Sequence, residues 1–276
     1  MIAHWNFFLQ EGDVCLMTQQ AVNQPFTLAI LADIHGNLAA LEAVLDDLQT
    51  QAYDQLIIAG DLVMNAPYPA ETLALIRSLQ AQTLFGETDR AVVAAGKGNS
   101  QHALACWTAE QLGADGLAYL ESLAFSHLIT PSQSAPARDE LLVVHATPTE
   151  VGAFLILQPN ALDARCSALT PEAEARALLG QVRTSLIIHG HLHYASTGFV
   201  GEQQVVSVGA VGFPFDGKHE AAYALANWDG VRWEIKHRRV PYDYAGVIAA
   251  MMRIGQPDAS TMAQRLRSAS WCSQLS

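Results

Sequence analysis

Short apolar runs that stop abruptly on an acid, a glycine or a histidine constrain this chain most. Residues 26–32, 56–59, 140–144 and 186–188 are almost wholly aliphatic or aromatic, and each is too short for an independent helix. Near-continuous apolar runs of this length are what strands buried on both faces require. Between the first of them lie segments of helical periodicity. Asn37 can cap a helix that lines up Leu38, Leu41, Val44, Leu45 and Leu48, and residues 69–79 turn Leu73, Ile76 and Leu79 inward. A third short strand is expected at 83–85. This βαβαβ order predicts a largely parallel, buried sheet.

Residues 91–128 are alanine-rich and read as helix, broken near Gly96-Lys97-Gly98 and at Gly113, and 131–138 as a polar loop. Thr170 as cap and Pro171 as first residue predict a helix to about residue 182. The pattern then changes to alternating strands at 196–200, 203–208, 221–228 and 231–239, separated by Gly201-Glu202 and Asp229-Gly230, the latter a hairpin signal. Residues 243–270 return to helix. The chain reads as one domain over 26–276, preceded by an extension, 1–25, expected to be poorly ordered, with Met17 as a candidate start.

Composition narrows the function. The chain has 276 residues, half of them hydrophobic, enough for a large core. The formal net charge of −12 excludes a nucleic acid duplex and an anionic membrane as natural partners, since no Lys/Arg surplus is available to release counterions. It still admits a small phosphorylated substrate, because a bound cation inverts the local field. Cysteines 15, 106, 166 and 272 are scattered without a CxxC pair, as in a reduced, cytoplasmic protein. No apolar run approaches the ~20 residues that span a bilayer. Val247-Ile248 and Met251-Met252 permit a homo-oligomer, although packing of these helices onto the core accounts for them as well.

The polar residues fall where ligands bind in open α/β sheets, at the carboxyl ends of strands. Asp33 and His35 follow the first run, Asp61 the second, Glu87 and Asp89 the third, His145 a later one, and His191 and His193 the last. Carboxylates and imidazoles without thiolates suit divalent Mn, Fe, Zn or Co, and this many donors can hold two ions about 3.5–4 Å apart. Alternate residues of an extended segment point the same way, so Asp33 and His35 can share an ion, and Asp61 can bridge the pair. His189 has the alternate phase and is expected to face away. Histidines 4, 102, 127, 219 and 237 stand apart and read as structural or solvated.

Asp33-Ile34-His35, Gly60-Asp61, Gly86-Glu87-Thr88-Asp89, His145 and Gly190-His191-Leu192-His193 occur in the order of a calcineurin-like metallophosphoesterase. The chain resembles the small bacterial phosphodiesterase branch of that family, over roughly residues 26–240. The resemblance implies a four-layer α/β/β/α sandwich of two mixed sheets flanked by helices. It implies two divalent metal ions, one held by Asp33, His35, Asp61 and His193, the other by Asp61, Glu87, His145 and His191. Asp33, Asp61 and His145 would be the catalytic core, and a hydroxide between the ions would attack phosphorus in line. The expected activity is hydrolysis of a small phosphodiester, nucleotide or phosphomonoester.

Three departures bear on that expectation. The family's asparagine is Glu87 here, which adds a negative charge beside an anionic substrate. Thr88 stands where some branches have a histidine that assists the leaving group. In the stretch 208–217, Ala210 and Phe215 replace a serine and an arginine common in the branch. A phosphoprotein phosphatase, or a metal-binding protein with weak catalysis, is the alternative. Phe213, Pro214 and Phe215 suggest either an apolar lining for a nucleobase or packing within a hairpin.

Overall fold

The computed structural model describes residues 17–21, 25–131 and 139–271. Its first half is β1 (Met17–Ala21), β2 (Phe26–Leu31), α1 (Leu38–Leu48), β3 (Gln55–Ala59), α2 (Pro69–Ser78), β4 (Gln82–Leu84), α3 (Glu87–Gly96) and α4 (Ala103–Glu121). The second half is β5 (Ser126–Thr130), β6 (Leu141–Val144), α5 (Glu172–Leu179), β7 (Leu186–His189), β8 (Ala195–Val200), β9 (Gln203–Val208), β10 (Glu220–Trp228), β11 (Trp233–Pro241), α6 (Tyr244–Ile254) and α7 (Ala259–Ser268). One sheet has the strand order β11-β10-β2-β3-β4, the other β1-β5-β6-β7-β9-β8. In the first, β2, β3 and β4 run parallel and β10 is antiparallel to β2. In the second, β6, β7 and β9 run parallel, β5 is antiparallel to β6 and β8 to β9, and β1 is parallel to β5.

The period-2 alternation of each strand separates the core into layers. Leu28 and Ile30 of β2, Ile57 and Ala59 of β3 and Ala224 and Ala226 of β10 face Ile129, Leu141, Val143, Ile188 and Val206 of the opposite sheet. The alternate residues Ala29, Leu31, Leu56, Ile58 and Tyr223 pack outward on Leu41, Val44 and Leu48 of α1, Leu73 and Ile76 of α2, and Val92 of α3. On the far side Leu142, Val144, Ile187 and Val205 meet Ala175, Leu178 and Leu179 of α5. Helices thus cover both outer faces, and the four-layer α/β/β/α expectation holds. Val247 and Met251 of α6 and Met262, Ala263 and Leu266 of α7 bury against Phe213 and Phe215. Packing onto the core therefore accounts for much of the apolar surface of the C-terminal helices, although Met252 stays 55% exposed.

Several local expectations need correction. Within the supposed extension, Met17–Ala21 form an edge strand parallel to β5, because β5 offers it a free hydrogen-bonding edge; residues 1–16 and 22–24 lie outside the described residues. So do residues 132–138 of the polar loop, Cys15 and Cys272. Thr170 does not cap α5: its hydroxyl accepts from the Ile156 backbone N–H at 2.8 Å, pinning a loop instead. The helix ends at Leu179, where Gly180 adopts φ +60°. The stretch 243–270 is two helices, since Gly255 at φ +66° closes α6 before Pro257. Gly113 does interrupt α4, with φ 60° and ψ −175°. Among the described residues no helix is long and apolar enough to cross a membrane.

Candidate metal centre

Backbone hydrogen bonds lace the loops at the strand ends together. Asp33 N–H donates to Gly60 O, His35 N–H to Asp61 O and Gly36 N–H to Leu62 O, which ties the loop after β2 to the loop after β3. Gly190 N–H donates to His145 O, and Gly212 N–H to Asp33 O. The His191 N–H donates to Asp33 Oδ1 at 3.1 Å, joining the two sheets. Close approach of these loops leaves no room for a Cβ at Gly60, Gly86, Gly190 or Gly212. At Gly86 it would lie 2.0 Å from Asp61 Oδ1, and at Gly212 2.0 Å from Ile34 O.

The loops are also strained. Asp33, His35, Asp61, His191 and His193 all have φ between 54° and 63°, a region non-glycine residues seldom adopt. Such residues persist where the surroundings over-determine them, and they cluster at functional sites. The strain also corrects the sequence reasoning: Asp33 and His35 meet through left-handed backbone, not through the alternation of an extended strand.

All seven expected ligands come together, in two adjoining groups. Asp33, His35, Asp61 and His193 each present a donor atom, all within 4.8 Å of one another, and Glu87, His145 and His191 do the same. Asp61 lies between the groups, with Oδ2 3.4 Å from His35 Nε2 and Oδ1 3.5 Å from His145 Nε2. Its Oδ1 is fixed by the Thr88 N–H at 3.0 Å.

The donor atoms fit a metal better than they fit one another. Asp33 Oδ2, Asp61 Oδ2 and both His191 ring nitrogens are buried without a hydrogen-bond partner among the described residues, a costly arrangement unless a cation completes it. His191 Nδ1 lies 3.0 Å from Glu87 Oε1 but out of hydrogen-bonding alignment. His145 donates from Nδ1 to Ala59 O at 2.7 Å, and His193 from Nδ1 to Phe213 O at 2.5 Å. A carbonyl only accepts, so in each ring Nε2 is the nitrogen turned to the centre; that of His145 lies 2.6 Å from Glu87 Oε2, and a bound cation would replace the proton shared there. His35 Nε2 lies 3.2 Å from His193 Nε2, and its Nδ1 3.0 Å from the Asn65 amide. With the Asn65 amide turned so that its oxygen accepts from Nδ1, the His35 lone pair also faces the centre.

Electrostatics follow from burial. Burial, reinforced by the neighbouring carboxylates, pushes the Asp33 carboxyl well above its ordinary range. Burial alone would raise Glu87 as well, but His191 and His145 outweigh it and hold the carboxyl well below its ordinary range. Burial opposes charge on His145, yet Asp61 and Glu87 carry it well above an ordinary imidazole. His193 is driven well down, first by burial and then by His35 and Arg165. Clustered carboxylates and imidazoles with such divergent proton affinities are typical of catalytic and metal sites.

His189 belongs to neither group: burial lowers its pKa to about 3, and Nδ1 bonds Gly190 O. His102, His219 and His237 bond backbone groups elsewhere, His127 lies apart on β5, and His4 is outside the described residues. Phe213 and Phe215 are buried rather than lining an open pocket. Phe215 stacks on the His193 ring at 4.5 Å, and Phe213 meets the His35 ring edge-on at 5.8 Å. They wall the imidazoles in.

Asn65 escaped the sequence reading, and Asp89 was placed there at a strand end without a role. Asn65 holds His35 from a left-handed loop position with nothing in its spacing to mark it. Asp89 accepts from the backbone N–H groups of Leu62, Val63 and Gly86, which fixes the Asp61 loop against the start of α3. Burial, then Asp61, raises its pKa to about 7. Its position three residues after Gly86, where an acid can reach back to the residue before a helix, was the available signal.

Comparison with known proteins agrees with this geometry. The family model described as the calcineurin-like phosphoesterase superfamily domain matches residues 26–230. An uncharacterized protein of Methanocaldococcus jannaschii is 27% identical over 225 residues, covering 78% of this chain and 88% of its own. A metallophosphoesterase structure from Sphaerobacter thermophilus superposes with a TM-score of 0.68 at 26% identity, covering 88% of this chain and 99% of its own. A hypothetical protein from Pyrococcus horikoshii shares the fold, with a TM-score of 0.67 at 23% identity, over 84% of this chain and 94% of its own.

Proposed function

Because the chain belongs to the calcineurin-like phosphoesterase superfamily, we propose that it hydrolyses small phosphate esters with the help of two divalent metal ions. One observation carries the reading: buried carboxylates and imidazoles form two adjoining groups, and several of their atoms have no hydrogen-bond partner among the described residues. Asp33, His35, Asp61 and His193 would hold one ion, and Asp61, Glu87, His145 and His191 the other. Oxygen and imidazole donors suit Mn, Fe, Zn or Co. Bound there, such ions supply Lewis-acid charge and acidify water for attack on phosphorus.

The chain's own residues set the rest. Asp61, held by the Thr88 N–H, keeps the two groups in register. Asp33, Asp61 and His145 are sealed from solvent, whereas the Glu87 side chain is 26% exposed. Substrate would therefore approach on the Glu87 side. Thr88 donates its hydroxyl weakly to Val63 O at 3.5 Å and brings no imidazole to the leaving group. Esters with acidic leaving groups, such as p-nitrophenyl phosphate and its diester, should turn over best.

The test is metal analysis with turnover on p-nitrophenyl phosphate, bis-p-nitrophenyl phosphate and nucleotides in added Mn. The expected result is two ions per chain and turnover that falls at least ~100-fold in Asp61→Asn. Two ions without turnover on any substrate would favour a metal-binding protein without catalysis. Neither metal nor turnover would end the proposal.

A further inference from the structure

Arg165 lies in the loop between β6 and α5, in the short helical turn Ala164–Cys166. Its side chain is held on one edge and one face. The fully buried Asp163 carboxylate accepts from its Nε at 3.0 Å and from its Nη2 at 2.6 Å, and also from the Arg165 backbone N–H at 2.9 Å. The guanidinium carbon sits 3.4 Å from the centroid of the Trp271 ring, while Arg265 sits 3.5 Å from the same centroid. Two guanidiniums that close to one ring must occupy opposite faces, so Trp271 is clamped and Arg165 with it. The Nη1 edge remains without a hydrogen bond among the described residues, in a side chain 29% exposed. A guanidinium fixed in this way keeps one free fork of donors that matches a phosphate.

Its place relative to the centre gives that fork a use. Arg165 lies 5.1 Å from the Phe154 ring, which is 4.4 Å from the His191 ring. It lies 5.8 Å from the Phe215 ring, which stacks on His193. The cation therefore stands one aromatic layer outside the imidazoles of both groups. That is too far to share an oxygen of a phosphoryl group seated on the metals, yet within reach of the next group along the substrate. Charge makes the same point. Asp33, Asp61 and Glu87 offset three of the four positive charges that two divalent ions would bring, so the centre itself has little charge left for a second anion.

We propose that Arg165 binds the non-scissile phosphoryl group of a substrate that carries two or more, and so selects such esters over simple monoesters. The proposal rests on the function proposed above. The probes are methylphosphonate and methylenediphosphonate, titrated calorimetrically into Mn-loaded protein, with metal content checked afterwards and thermal melting run on every variant. Wild type should prefer the diphosphonate by about tenfold or more. Arg165→Ala should lose that preference with methylphosphonate binding unchanged. Arg165→Lys, which keeps a cation for Asp163 and hence the fold, should lose most of it, because an ammonium lacks the fork. A preference that survives in both variants, or a parallel loss for both ligands, overturns the role of Arg165. Wild type that holds Mn yet binds neither phosphonate overturns the proposed function, and this proposal with it.

Discussion

Five of the seven candidate ligands sit in left-handed backbone, each at a cost of roughly 1–3 kcal/mol. The fold tolerates this because backbone bonds, Asp89 and close-packed glycines over-determine the loops. Asn65 is the most vulnerable part of that support. Its side chain meets His35 Nδ1 at 3.0 Å, while His145 and His193 are each oriented by a backbone carbonyl that mutation cannot remove. Asn65→Ala should weaken metal binding by ~10–100-fold with little change in fold, measured by metal titration beside circular dichroism. Glu87 poses a different question, because it touches His145 at 2.6 Å and His191 at 3.0 Å on the side open to solvent. Glu87→Asn keeps an oxygen donor and removes a charge. It should loosen one metal and lower KM for an anionic substrate, each by about tenfold. Unchanged metal binding and KM would place Glu87 outside the centre.

Among the elements, α1 is tied to the sheet by one polar cluster. Asp47 near its end accepts from Arg238 of β11 at 2.7 and 2.8 Å and from the Tyr223 hydroxyl of β10 at 2.6 Å. The bonds from Arg238 hold the Asp47 carboxyl below its ordinary pKa despite partial burial. A depressed folded pKa stabilises the protein above the unfolded value of ~3.9, and that contribution fades as pH falls through the folded pKa. Asp47→Asn should therefore cost about 2 kcal/mol near neutrality, or roughly 4–8 °C in melting temperature, and the gap from wild type should close below about pH 4. A gap constant with pH would assign the loss to packing instead. Neither Asp47 nor Arg238 stood out in the sequence, because the pair is 191 residues apart. The elements they join were legible, since the near-continuous apolar runs at 26–32 and 56–59, the alternation at 221–228 and the stripe Leu41, Val44 and Leu48 mark them locally. Thr170 was misread for the opposite reason. Its cap signal was local and sound, but a distant backbone donor, Ile156, took its hydroxyl.

At the scale of the whole molecule, the strand ends announced the centre because parallel neighbours within each sheet end on one edge, and five separated stretches from the two sheets ended in carboxylates or imidazoles. Asn65 and Arg165 were not legible, since their roles depend on loops whose conformation no periodicity encodes. The same convergence has a thermodynamic consequence. Folding gathers Asp33, Asp61 and Glu87 beside one another, and burial drives the Asp33 carboxyl toward its neutral form. A cation that binds this arrangement and not the unfolded chain stabilises the fold by mass action, by about 2.7 kcal/mol at a hundredfold excess over Kd. For a chain of this size that is a rise of roughly 5–10 °C in melting temperature. Mn should produce it, EDTA should reverse it, and Asp61→Asn, which removes the charge shared between the groups, should abolish it. Melting of wild type that ignores both Mn and EDTA would mean that these carboxylates are gathered for something other than a metal.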